Sequence, residues 1–453
     1  MADSKGWIVS LFEVLFLFFI ASFFLTLGLD DPDQMRSRMG VGVFLLGSFF
    51  LCLRKRFDPF KSLTALGFLS FFVFGILRWL WAVWQINLRY PGENRVLLFS
   101  YLSSPLLWSF YLGFFALSLT LFSRRSRVER LLWLLSWCGF LLAINVIPPL
   151  LIRGHVGYPL GDGRSVVFHP LFYSPPFVAK YVVSRFGHPN YTGDVIALGL
   201  FPAASLFVYS LRQRGGKNRL SLGLLATFVG ATALAVVLLF SRGTILSFSI
   251  GFLLYLLAGL IKFPSRRQLI FSGVVFSAVF IFLVWAGNLP AVWKEIQTLR
   301  LETREVEGGT SFSTNREGAR RALAIYRDYP LWGVGTDGYP LVSEKYASRG
   351  SESFYMAKVR AMCHYLQVLA EEGMGAFLYF FFLSAYFFEV VRGLWGTESR
   401  FQFMAGLSLF SAIVMILIHS TFNHLMQQFS IAMLVYIYMG ASLGVLRRDF
   451  RRD

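Results

Sequence analysis

The chain has 453 residues, of which 56% are hydrophobic and only 15% are charged. Soluble domains carry roughly 25% charged residues, so this composition argues against a soluble globular protein. The formal net charge is +18, but much of the excess lies in short basic loops, which indicates contact with anionic membrane lipids and argues against nucleic-acid binding.

Apolar stretches divide the chain into about twelve candidate spans, most of them long enough to cross a bilayer as helices. The second is short for a crossing helix and needs tilt or flanking residues to span. The expected spans are residues 8–29, 40–53, 62–86, 96–122, 131–152, 191–211, 220–240, 244–261, 269–287, 373–391, 401–418 and 425–446. We therefore predict an all-α membrane protein with about twelve transmembrane helices.

The spans and the basic loops divide the chain into three regions and orient it. Residues 1–287 hold spans one to nine, 288–372 form a large, partly helical loop with lid-like helices, and 373–453 hold spans ten to twelve. The basic clusters are 54–61, 123–130, 212–219, 262–268 and 447–453. Positive loops remain in the cytoplasm. Both termini are therefore expected inside, and the loops 153–190 and 288–372 outside.

The long outer loop contains the pattern of one complete helix at 313–327. Ser313 or Thr314 can cap its start, and Pro330 followed by several glycines stops it. A second helix is expected around 358–372, where it would begin and run toward the tenth span. Two external helices on a membrane domain would form a lid or the wall of a cleft.

Arg242 occupies the tight outer turn between spans seven and eight. A charged side chain near the hydrocarbon boundary is costly, which favours a functional role. Guanidinium stays charged and binds phosphate oxygens bidentately, so we interpret Arg242 as part of a diphosphate clamp. The alternative is an interfacial arginine that bonds lipid headgroups. Ser241 and Gly243 allow close backbone approach and favour the functional role.

His364 lies just before the tenth span, on the outer face. A neutral imidazole can take a proton from a hydroxyl group near pH 7, which makes His364 a candidate catalytic base. The alternative is a histidine that only forms hydrogen bonds at the membrane interface.

The stretch 184–193 opens the sixth span at its outer end. His188, Asn190 and Tyr191 form a rim that can face a substrate, and Arg185 offers a second phosphate contact. The proline between His188 and Asn190 suits a helix start, so helix capping is the simpler role for Asn190.

Arg316 and Arg320 lie four residues apart on the predicted loop helix and therefore share one face. Both are candidates for contact with an anionic substrate. The alternative, favoured for the loop arginines other than Arg316, is a solvated face paired with Glu317 and Asp328.

His419 and His424 flank the turn between the last two spans. Metal binding needs converging ligands of suitable spacing, and no such set is evident. We predict no metal site and expect these two histidines to cap helices or to form hydrogen bonds at the interface.

Four stretches, in this order, resemble segments of the O-antigen ligase and polymerase superfamily of bacterial membrane glycosyltransferases. They correspond to a His-Pro-Asn start of a span, a Ser-Arg-Gly turn, an arginine-led loop helix ending in Pro-x-x-Gly-x-Gly, and a segment with Tyr-Leu-Gln before its glutamates. These stretches are residues 186–202, 238–248, 313–339 and 363–377. The predicted spans and the large loop between the ninth and tenth also fit this family.

One departure concerns the histidine of the last segment. The family histidine usually precedes Tyr-Leu-Gln by three positions, where this chain has Met362, and His364 follows two residues later. On a helix two residues differ by about 200°, which is a different face.

The resemblance implies transfer of a glycan from an undecaprenyl-diphosphate carrier at the outer face of the bacterial inner membrane, without metal, nucleotide or other cofactor. The acceptor would be lipid A-core for a ligase or another glycan for a polymerase, and the single dominant outer loop favours a ligase. The catalytic candidates are then His364, Arg242 and Arg316, and the substrate-binding candidates are Arg185, His188, Asn190, Tyr191 and Arg320.

A polytopic transporter is the competing class. Transporters favour ionisable residues near the middle of the membrane. Here the central spans are almost free of charge, with Arg78 as the main exception, and polar residues gather at the outer end. This distribution favours an enzyme.

Overall fold

The computed structural model describes part of the chain. It covers residues 13–18, 20–21, 62–89, 95–152, 156–159, 165–168, 189–211, 219–238, 242–264, 311–336, 338–348, 360–423, 426, 429–447 and 450. These residues are predominantly helical, as the composition predicts.

Among the described residues, six long helices with complete bounds precede the long loop at 288–372, and each overlaps a predicted span. They are α1 (Leu63–Arg89), α2 (Arg95–Leu121), α3 (Arg125–Ile152), α4 (Pro189–Ser210), α5 (Arg219–Leu238) and α6 (Arg242–Lys262). The predicted spans 40–53 and 269–287, and most of 8–29, lie outside the described residues. The number of twelve spans therefore stays a prediction.

In the second half of the chain, the described loop helices come first and three long apolar helices follow them. The helices are α7 (Ser311–Asp328), α8 (Tyr339–Val342), α9 (His364–Glu372), α10 (Gly375–Gly396), α11 (Arg400–His419) and α12 (Phe429–Leu446), and a 3₁₀ turn covers Ser343–Tyr346.

Within the described part of the chain, five helices are long and apolar enough to cross a membrane. The apolar stretches are Leu63–Trp84, Thr192–Ser210, Gly243–Lys262, Gly375–Gly396 and Arg400–His419. Shorter apolar stretches occur in α2, α5 and α12. The described helices pack mainly as the pairs α2–α12, α3–α4, α1–α10 and α6–α11, so helices distant in sequence form one bundle.

A small hairpin departs from the all-α prediction. Strand β1 (Val156–Pro159) pairs antiparallel with β2 (Ser165–Phe168), and Val156 lies opposite Phe168. Both strands contain β-branched and aromatic residues, and the sequence Gly-Asp-Gly between them is typical of a tight turn. The hairpin lies in the first of the two predicted outer loops.

The two loop helices differ from their predicted boundaries. Helix α7 begins at Ser311, so Ser313 and Thr314 lie inside it and cannot be its N-cap. The second helix is interrupted at Gly373, which has φ 57°, and is therefore separate from the following span. The amide of Gly373 donates to the carbonyl of Leu369 at 3.0 Å, which closes α9.

Candidate functional site

Helix α7 packs onto the segment that leads into α9. A Cβ at Gly318 of α7 would lie 2.8 Å from the carbonyl oxygen of Ala361. The hydroxyl of Tyr339 donates to the carbonyl of Gly318 at 3.2 Å and adds a second contact to the same residue of α7. The first half of α7, which contains Arg316, therefore lies beside the approach to His364.

Arg78 fixes the loop to the membrane bundle. Its fully buried guanidinium lies 2.6 Å from a carboxylate oxygen of Glu372 and donates to the carbonyl of Glu371 at 2.8 Å. Thr336 donates to the same Glu372 carboxylate at 2.6 Å. The charged residue that stood out within a predicted span thus binds the loop and is neutralised there.

Glu317 organises two of the loop arginines. Arg320 donates to both of its carboxylate oxygens at 2.9 Å and also to the carbonyl of Tyr346. The buried Arg321 donates to Glu317 at 2.8 Å. The hydrogen bonds to Glu317 raise the pKa of Arg320 above its usual value. Arg320 is thus engaged within the protein, as the alternative interpretation of the sequence expected.

Arg316 differs from its neighbours on the same helix. Its side chain is exposed and forms no hydrogen bond or ion pair with any residue that the structure describes. Among the residues that the structure describes, none occupies the guanidinium of Arg316. Arg327 at the far end of α7 is exposed in the same way, but it lies away from the crossing with the α9 approach.

His364 is the first residue of α9 and is buried. Its amide donates to the carbonyl of Ser420 at 2.9 Å, and its Nε2 lies 3.0 Å from the hydroxyl of Tyr379. Among the described residues, none bonds to Nδ1. Burial lowers the pKa of His364 to about 3, so the ring is neutral near pH 7 and has one nitrogen unused.

Met362 has a left-handed backbone conformation, with φ 58°. Such a φ is uncommon for a residue with a side chain. The chain turns here before α9 begins, so Met362 and His364 are not successive positions of one helix. The angular offset expected from helix geometry therefore does not apply to this pair.

A buried carboxylate–imidazole pair joins two long helices at the same end of the bundle. Nδ1 of His419, the last residue of α11, lies 2.9 and 2.8 Å from the two carboxylate oxygens of Asp194 in α4. His419 is 1% exposed and Asp194 is fully buried. His419 therefore forms its hydrogen bond inside the bundle, between two helices. His424 lies outside the described residues. Sequence reasoning missed Asp194, although an acidic residue inside an apolar span is a signal for it.

The imidazole of His419 lies directly against Gly243, the residue after Arg242. A Cβ at Gly243 would collide with Nε2 and would lie 2.7 Å from Cδ2 of that ring. Helix α6 begins at Arg242 itself. Ser420 follows His419, and its carbonyl accepts the hydrogen bond from the amide of His364. The start of α6 at Arg242, the Asp194–His419 pair and His364 therefore lie at one end of the bundle.

The remaining candidates form the predicted rim of the sixth span. Arg185 and His188 lie outside the described residues. Asn190 and Tyr191 fall in the first turn of α4, which begins at Pro189, so Asn190 is inside the helix and not at its cap. Among the described residues no group of three His, Cys, Asp or Glu side chains is arranged to hold a metal ion.

Comparison with known proteins identifies the family. Residues 225–383 match the family described as O-Antigen ligase. This segment includes the Arg242 turn, α7 and α9, and so covers most of the site described above. No curated protein sequence matches the chain. The apolar helices and the matched domain make the protein a multi-pass membrane protein. The O-Antigen ligase domain at residues 225–383 supports assignment of the chain to the O-antigen ligase superfamily.

Proposed function

We propose that the protein is a glycosyltransferase that moves an undecaprenyl-diphosphate-linked glycan onto lipid A-core at the outer face of the inner membrane. The observation that carries this proposal is the convergence of the Arg242 turn and His364 within the O-Antigen ligase domain. Polymerisation of glycan repeat units would use the same donor chemistry with a different acceptor.

The leaving group of this reaction is a lipid diphosphate, which carries about two negative charges. Cationic side chains and helix N-termini stabilise such charge where it develops. Arg242 at the N-terminus of α6 offers both. The exposed Arg316 adds a guanidinium that no described residue occupies. Arg185 would add a further phosphate contact. The proposal needs no metal and no nucleotide.

The acceptor hydroxyl needs a group that takes its proton. If Nε2–H of His364 donates to the hydroxyl oxygen of Tyr379, Nδ1 presents a lone pair to the acceptor. The hydroxyl oxygen then attacks the anomeric carbon, the bond from that carbon to the phosphate oxygen breaks, and the electron pair leaves with the diphosphate. The hydroxyl proton passes to Nδ1, and the displacement inverts the anomeric centre.

The substrate-binding rim completes the proposed site. His188, Asn190 and Tyr191 precede or open α4, the same helix that contributes Asp194. Their polar groups suit the hydroxyls of a sugar. Arg320 is paired with Glu317, so we propose that it shapes the α7 surface and contacts the glycan only with its exposed edge.

A transporter is a poorer explanation of this structure. Arg78 was the main charge that favoured transport, and it is neutralised by Glu372 and tied to the outer loop. This pairing gives Arg78 a structural role that requires no solute pathway.

The test is transfer by purified protein supplied with a lipid-linked glycan and lipid A-core. We expect Arg242→Ala and Arg316→Ala each to lower the transfer rate by about 10² or more, the usual loss when one stabilising donor is removed. Arg327→Ala is the matched control, because Arg327 is exposed on the same helix. Normal product formation by both variants would refute the diphosphate clamp.

A further inference from the structure

The Asp194–His419 pair is the best-defined polar cluster to which the proposed chemistry assigns no role. Three long helices meet there: Asp194 lies on α4, His419 is the last residue of α11, and Gly243 is the second residue of α6. A buried carboxylate–imidazole pair is costly compared with apolar packing of similar size. Its position beneath the Arg242 turn suggests a purpose beyond helix packing.

The geometry fixes the orientation of the imidazole. Nδ1 of His419 lies 2.9 and 2.8 Å from the two carboxylate oxygens of Asp194. An ionised carboxylate can only accept a hydrogen bond, so Nδ1 is the donor when Asp194 is ionised. The ring then has no freedom to rotate without losing that bond. Its other edge, with Nε2, is held against the backbone of Gly243.

The same carboxylate reaches the turn by a second route. The hydroxyl of Thr244 forms a hydrogen bond with Asp194. The methyl group of Thr244 also packs on Gly193, where a Cβ would lie 3.1 Å from it. Asp194 therefore holds Thr244 directly and Gly243 through the ring of His419. These two residues immediately follow Arg242.

We propose that Asp194 and His419 are positioning residues that hold the first residues of α6, from Arg242 to Thr244, in the conformation that binds the diphosphate of the donor. This inference rests on the proposed function. Donor binding then depends on Asp194 and His419, although neither contacts the donor. The two residues fix the start of α6 and with it Arg242.

Binding of undecaprenyl diphosphate to the purified full-length protein in detergent tests this inference. We expect Asp194→Asn to weaken binding at least tenfold at a temperature well below the thermal unfolding midpoint of the variant, where the variant is folded. In an Arg242→Ala background the same change should weaken binding less than twofold further, because the turn then has no guanidinium to position.

Tyr386→Phe is the matched control for loss of a buried polar contact. Its hydroxyl bonds to Ser442 at 2.9 Å, between α10 and α12, and we expect binding to be unchanged. If the unmodified protein binds no undecaprenyl diphosphate, the proposed function fails. If it binds, and Asp194→Asn binds equally well, the positioning role is overturned.

A second pair of variants keeps the inference falsifiable if Asp194→Asn does not fold. Gly243→Ala inserts a methyl group into the ring of His419 and should weaken binding at least tenfold. In a His419→Ala background that methyl group has room, so the further loss should be less than twofold. An undiminished loss in that background would contradict the contact as the cause. Gly230→Ala, with nothing within 4 Å, is the glycine control.

Discussion

The neutral, buried imidazole of His364 combines the features of a base with those of a core residue. Nε2 has a partner in Tyr379, whereas Nδ1 has none among the described residues. A purely structural histidine would normally use both nitrogens, because an unpaired buried polar atom is costly. An unpaired Nδ1 is what the proposed role as a base requires, because this nitrogen then keeps a lone pair for the acceptor hydroxyl.

We predict that His364→Ala lowers the rate of glycan transfer at least about a hundredfold, the low end for removal of a general base. The rate should fall with little change in the apparent affinity for the donor, because the diphosphate contacts belong to the arginines. Transfer kinetics with the donor concentration varied will separate the two effects. Full activity in this variant would leave the base to another residue.

The burial of His364 also predicts how stability depends on pH. Its pKa is lowered from 6.5 to about 3 in the folded protein, so the unfolded chain binds the proton first as the pH falls. The folded state therefore loses stability below about pH 6.5. Thermal unfolding midpoints measured from pH 7 to pH 5 should fall less steeply for His364→Gln than for the unmodified protein. Equal slopes would contradict the burial of this ring.

At the scale of elements, the ion pair between Arg78 and Glu372 joins α1 to the junction of α9 and α10. Removing one partner of a buried pair leaves an uncompensated charge and costs about 3–5 kcal/mol. We predict that Arg78→Leu lowers the thermal unfolding midpoint and reduces transfer, since α7 and α9 lose their attachment to the bundle. Arg392→Leu, a change to an exposed arginine on α10, should alter neither property.

The turn between α7 and α8 requires glycine at position 333. Its φ is 63°, and a Cβ there would collide with the carbonyl oxygen of Glu371. We predict that Gly333→Ala destabilises the protein, because both the backbone conformation and the packing oppose a side chain. Gly396→Ala, with no atom within 4 Å, should leave the unfolding midpoint in detergent nearly unchanged. A stable Gly333→Ala protein would refute this packing.

Helix positions followed well from the sequence, whereas helix ends did not. Runs of about twenty apolar residues permit only a spanning helix, because the backbone must satisfy its own hydrogen bonds in lipid. The start of α7 and the break at Gly373 depend instead on contacts with distant segments. A Cβ at Gly373 would lie 2.5 Å from the amide nitrogen of Gly333, a contact that no local pattern reveals.

At the scale of the whole molecule, the orientation in the membrane is open to direct test. We predict that the loop at 288–372 is extracytoplasmic and that the turn between α10 and α11 is cytoplasmic, because the basic segment 447–453 remains inside and two spans, α11 and α12, separate it from this turn. In a variant without native cysteines, a small impermeant maleimide should label Glu344→Cys in intact cells and label Glu398→Cys only after permeabilisation. Both positions are exposed. The reverse labelling pattern would invert the proposed topology.

The sequence by itself indicated the membrane class and the family. Those properties depend on local composition and on short motifs, and the match over residues 225–383 confirms the family. Tertiary structure alone decided that Arg78 holds the loop and that Asp194 pairs with His419. Both pairs join residues more than two hundred positions apart. A buried polar or charged group is costly unless it has a partner. Only the packing of the helices determines which partner is within reach.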